Sequence, residues 1–236
     1  MEAADEAPEP WLLDAPLFLE TSDRPPVRRH RPAWQGDVFA DVPLSLTGKP
    51  KGSGEAKTQV RVTTVMLMGH PCSMYAGGNL AVLQNVAEVR PFKAREEGFG
   101  PPWEGFYQIL HLPGLRAGED WAVDFNILGS VHFKYLEGRR VACLSRHGLA
   151  ALHCRYAYHS LRIRPEQSAR VEDLRGLANE IDLWERWCER GLKPESFQAW
   201  LGDPGEEGEY AGVVRRDLLD YAPDFLDAEL PAAKPA

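Results

Sequence analysis

The chain has 236 residues, 44% of them hydrophobic and 26% charged, which suits a globular core and excludes a wholly disordered or fibrous chain. Its formal net charge of -8 excludes nucleic-acid binding by bulk electrostatics, so any such contact needs a local basic face. Cys72, Cys143, Cys154 and Cys188 form no CxxC pair and match no zinc spacing, so no metal and no cofactor are expected.

Residues 1–33 read as a disordered tail. They hold six prolines, an acidic start and the basic cluster Arg28-Arg29-His30-Arg31. No secretory signal is visible there, and no apolar run reaches membrane-spanning length. Reduced thiols, a cytoplasmic location and no membrane contact are the expectation. The tail carries an apolar island from Trp11 to Glu20. It either packs back on the parent domain or docks on another protein through Trp11, Leu12, Leu13 and Phe18.

Residues 34–144 read as a run of strands. Period two places Val38, Ala40, Val42 and Leu44 on one face. Thr58–Met68 is β-branched and then apolar, as in a central strand, and it ends at Gly69-His70-Pro71-Cys72. Asn79–Val89 is a further strand. In the next clear one, Trp121, Val123, Phe125 and Ile127 alternate with Asp120, Ala122, Asp124 and Asn126, which form a solvated face. Gly138–Leu144 is the last strand. Short strands without intervening helices argue a barrel or sandwich.

Helices follow. Ser145 is an N-cap for a helix reaching about Leu161. Pro165 starts a longer helix whose apolar face carries Val171, Leu174, Leu177, Ala178, Ile181, Trp184, Trp187 and Cys188, with Gly191 as its C-cap. Its tryptophans close a core or anchor a partner helix. PESFQAWL is a short third helix, and the acidic end reads as loosely held. The fold class is therefore α+β. It comprises a β-rich SH3-like barrel core with a closing helix over 34–161, then a helical extension and loose acidic C-terminus over 162–236.

The element order resembles the PemK/MazF-like group of small SH3-type barrels. The resemblance rests on Gly36-Asp37-Val38 opening the first strand, Val65-Met66-Leu67-Met68 as the apolar second, Ala81-Val82-Leu83 as the next, and the closing helix. It covers roughly residues 35–161. Ribonuclease members usually place an Arg-Pro pair before the second strand and a Thr or Ser at the end of the third. Here Thr63-Thr64 and Gln84-Asn85 stand in those places, and an insertion runs from about Phe92 to Trp103. The resemblance implies the architecture and transfers no catalytic residue.

Two local constellations stand out. Cys72 beside His70 at a strand end is a candidate activated thiol, against the reading of a buried structural cysteine. Arg155, His159 and Arg162 fall on one helical stripe with Tyr158 nearby, a candidate site for an anion or partner, against a merely solvated face. A metal site from His70, Cys72, His153 and Cys154 lacks the spacing for one. With no catalytic set, the sequence points to a non-enzymatic interaction or accessory protein with a protein partner. One concrete version is a regulator of a DNA-processing enzyme, such as a phage-type recombination accessory factor. The alternatives are a PemK/MazF-like nucleic-acid-binding protein or ribonuclease, and a thiol enzyme using Cys72.

Overall fold

The computed structural model describes residues 16–48, 57–76, 79–92, 108–162, 171–205 and 209–233. Nine strands precede the long helices: β1 (Phe18–Thr21), β2 (Val38–Gly48), β3 (Lys57–Leu67), β4 (Tyr75–Ala76), β5 (Asn79–Leu80), β6 (Leu83–Pro91), β7 (Ile109–His111), β8 (Trp121–His132) and β9 (Arg140–Leu144). A short helix, α1 (Pro71–Met74), follows β3. Helices α2 (Arg146–Leu161), α3 (Arg175–Glu189), α4 (Pro194–Gly202) and α5 (Pro223–Glu229) follow, with 3-10 turns at Phe133–Tyr135 and Arg215–Leu218.

Seven strands form one antiparallel sheet in the order β1-β9-β2-β3-β6-β8-β7. The α+β class stands. The expected SH3-like barrel is not confirmed, because the sheet is not closed among the described residues. Its edge strands, β1 and β7, have only four and three residues. No hydrogen-bonded ladder joins them among the described residues; helix α2 packs on β7 and β9 instead. The sheet is nevertheless strongly curled. A Cβ at Gly129 of β8 would stand 2.7 Å from Leu44 Cδ1 of β2, so these non-neighbouring strands approach closely.

Both faces of the curled sheet are covered, which is why β3 ends in the unbroken apolar run Val65-Met66-Leu67. Val38, Met66, Ala87, Val123 and Phe125 pack under Leu149 and Leu152 of α2. Phe39, Val65, Leu67, Val86 and Val131 form the opposite cluster with Met74 and Leu136. The expected single face of β2 is split. A register shift lies between Phe39 and Val42, where Asp41 takes a left-handed backbone at φ 55°. Val38 and Ala40 therefore face α2, whereas Val42 and Leu44 face the other cluster. A similar shift against β6 moves Ile127 away from Trp121, Val123 and Phe125.

Residues 16–33, expected as part of a disordered tail, lie along β9. Phe18 pairs with Leu144 and Thr21 with Ala142, and the Val27 N–H donates to Arg140 O at 2.8 Å. The segment is then clamped by charge. Arg28 donates to both carboxylate oxygens of Glu185 at 3.0 and 2.6 Å, and buried Arg31 reaches Asp182 at 2.7 Å. The acidic C-terminus is not loose either. Leu218 and Leu226 are fully buried, and Arg215 pairs with Glu229 at 2.8 Å. Leu218 and Leu226, with Trp34, Trp187, Phe197 and Leu201, form a third cluster around α3. Trp184 stacks on Phe197 with ring centroids 5.2 Å apart.

Candidate functional site

The expected site residues occupy separate elements. Ser145 caps α2 as anticipated, accepting from the Gly148 N–H at 3.0 Å. On that helix Arg155, Tyr158 and His159 are half-buried. The His159 ring lies 5.7 Å from Phe125 of the sheet, and Arg162 ends the helix with φ 58°. His70 is exposed between β3 and α1, and its carbonyl accepts from the Ser73 and Met74 N–H groups. Cys72 falls within α1, but its side chain lies outside the described ones. Trp11, Leu12 and Leu13 also lie outside the described residues. Phe18 is half-buried against the main core and is part of β1, which fits packing back rather than docking. Trp184 and Trp187 are both buried, so neither is an open anchor.

Two cysteine thiols are poor nucleophiles. Burial pushes the Cys143 thiol up, helped by the nearby Asp37 carboxylate. Cys188 is pushed up to about 11, first by burial and then by Glu185 and Glu189. Among the described residues, no group of three or more His, Cys, Asp and Glu side chains could hold a metal ion.

Sequence reasoning missed the most built polar feature, an open groove of about 490 Å³ on the sheet. Two buried carboxylates brace its arginines, Glu88 in its lining and Asp124 behind Arg90. Glu88 accepts from Thr63 Oγ1 at 3.0 Å and from the Arg61 guanidinium. Asp124 accepts from Arg90 at 2.6 Å and from the Asn126 N–H at 3.0 Å. Asp124 is thus buried, not part of a solvated face. The paired arginines stay about half exposed, with side chains 45% and 52% accessible. A third, Arg116, lies 4.6 Å over the Trp121 ring. The signal was in the strands: Arg61 between Val60 and Val62, and Glu88 between Ala87 and Val89, are charges set within apolar alternation. Such positions tend to pair across strands.

No family model matches the chain, and no curated protein matches it.

The groove borders the outer half of β3, beyond the end of the described ladder with β6. β3 pairs with β6 only from Thr64 to Leu67, although β3 begins at Lys57. Among the described residues, its outer half pairs only with β2. Val60 and Val62 there are 62% and 67% exposed. This arrangement offers main-chain donors and acceptors, apolar side chains and braced guanidiniums along one line.

Proposed function

We propose that the protein is a non-enzymatic accessory protein that binds a protein partner through the outer half of β3 and the adjoining arginine groove. The observation that carries this reading is the edge of β3 from Val60 to Thr63, which pairs with no strand on its β6 side among the described residues, with Val60 and Val62 exposed on either side of Arg61. An unpaired edge takes up an extended segment as an added strand, and alternate side chains then set specificity. Arg61 and Arg90 are already braced by Glu88 and Asp124, so they lose little freedom when a partner arrives. A segment alternating apolar and acidic residues fits this edge. A second copy of the chain fits poorly, because antiparallel self-pairing about Arg61 sets like charges opposite one another.

A photo-cross-linking residue in place of Val62, used in host cells, tests this reading. The expected result is one discrete adduct that disappears in an Arg90→Glu background. The same residue in place of exposed Tyr221 serves as the control. No adduct, or the same adducts from both positions, contradicts the reading.

The nucleic-acid alternative draws on the three guanidiniums, which also suit phosphates. Two features of the groove weigh against it. Trp121 is buried beneath Arg116 and opens no face for base stacking, and the carboxylates of Asp41 and Glu88 line the same groove. Oligonucleotide binding that weakens steeply with salt and is lost in Arg61→Gln would favour that alternative.

A further inference from the structure

A second cavity, of about 370 Å³, lies between the N-terminal segment and the sheet. Its walls are mostly apolar: Val27, Phe39, Leu80, Phe133 and Leu136. That volume and lining match sites for small molecules rather than packing defects.

The polar groups in the lining are few and mostly cationic. Arg140 is buried and supplied by β9. Its Nη atoms donate to the carbonyls of Arg28 and Arg31 at 3.2 and 2.8 Å. Its Nε lies 3.2 Å from Asp37 Oδ2 but makes no hydrogen bond. The turn at the cavity holds Arg28 at φ 46°, a backbone state costly for any residue with a Cβ. The Glu185 clamp on the Arg28 side chain holds that turn in place. Arg29 follows, exposed and lining the cavity, with no ion-pair partner among the described residues. The lining also includes Glu137.

We propose that this cavity binds a small amphipathic monoanion, an apolar body of about ten heavy atoms carrying one carboxylate. The body lies against Val27, Phe39 and Leu136, and the carboxylate pairs with Arg29. Arg28 and Arg140 already have carboxylate neighbours, so Arg29 is the cation left for the ligand. Glu137 selects against a second negative charge. This site shares no lining residue with the arginine groove and does not rest on the partner-binding reading.

Calorimetric titration of the full chain with octanoate and with octanamide tests the proposal. Octanoate should bind about tenfold more tightly than the amide. Arg29→Gln should erase that difference, Glu137→Gln should tighten octanoate binding, and Leu80→Trp should fill the cavity and abolish both. In the unaltered chain, octanoate should shift the NMR signals of the Leu136 methyls and the Phe133 ring, a readout that needs no variant to fold. Absence of binding up to millimolar octanoate, equal binding of the amide, or shifts confined to other residues would overturn the proposal.

Discussion

Glu185 shows what a single residue does here. On a helix read by periodicity it is a surface acid, yet it is only 4% exposed because Arg28 and Arg31 close over it. Removing one member of a buried ion pair leaves the others desolvated and unpaired, which costs more than the pair itself contributes. Glu185→Ala should therefore lower stability by about 3 kcal/mol in urea unfolding, the low end of the usual range because Asp182 still holds Arg31. A loss near zero would mean the clamp is dispensable. The thiols give a second prediction at this scale. With its folded pKa at about 11, Cys188 is about one part in a thousand thiolate at pH 8, so alkylation of Cys188 should be slow in the native protein and fast in urea. The sign for stability follows. Cys143, Cys188 and Tyr75 all have pKa values raised by folding, so their contribution is complete below the unfolded thiol value near 9. It declines as pH rises from there towards the folded values, and the melting temperature should fall between about pH 9 and 11.

Among elements, the helices were legible and much of the strand pairing was not. The Ser145 cap, the span of α2, α4 at PESFQAWL and the apolar face of α3 all depend on spacings within a turn or two. β1 was missed because its partner, β9, lies far along the chain and nothing local in Phe18–Thr21 announces it. The bulge at Asp41 was missed for a related reason. One residue at φ 55° moves every later side chain of β2 to the other face, and period-two counting assumes no such step. The groove was half legible: its charges stood inside apolar strands, but which carboxylate met which arginine depended on register. A close contact shows how the elements are locked. A Cβ at Gly148, in the first turn of α2, would stand 2.1 Å from Leu17 O, a backbone atom with little room to move. Gly148→Ala should cost about 2 kcal/mol, seen as a lower thermal midpoint, whereas Ala at Gly202, with open space around its Cβ position, should not destabilise. Equal behaviour of the two would remove the contact between Leu17 and α2 from the account.

At the scale of the whole molecule, the curled sheet carries two separable surfaces. The N-terminal segment and α3 are drawn together by Glu185, Asp182 and the Trp34–Trp184 contact, at 6.4 Å between ring centroids. The small apolar cavity lies between that N-terminal segment and the sheet, beside Arg140 of β9. On the other side of the sheet order, β3 runs past the end of its ladder with β6 and leaves an edge beside Arg61, Arg90 and Arg116. No helix among the described residues is long and apolar enough to cross a membrane. The proposed function depends on the edge of β3 from Val60 to Thr63, which has no β6-side partner among the described residues, and hydrogen exchange measures it directly. In the protein alone, alternate amides from Val60 to Thr63 should exchange far faster than those of Val65, Met66 and Leu67. They should become protected when the partner captured from position 62 is added. Slow exchange along the outer half of β3 in the protein alone, or no added protection in the complex, would contradict the account.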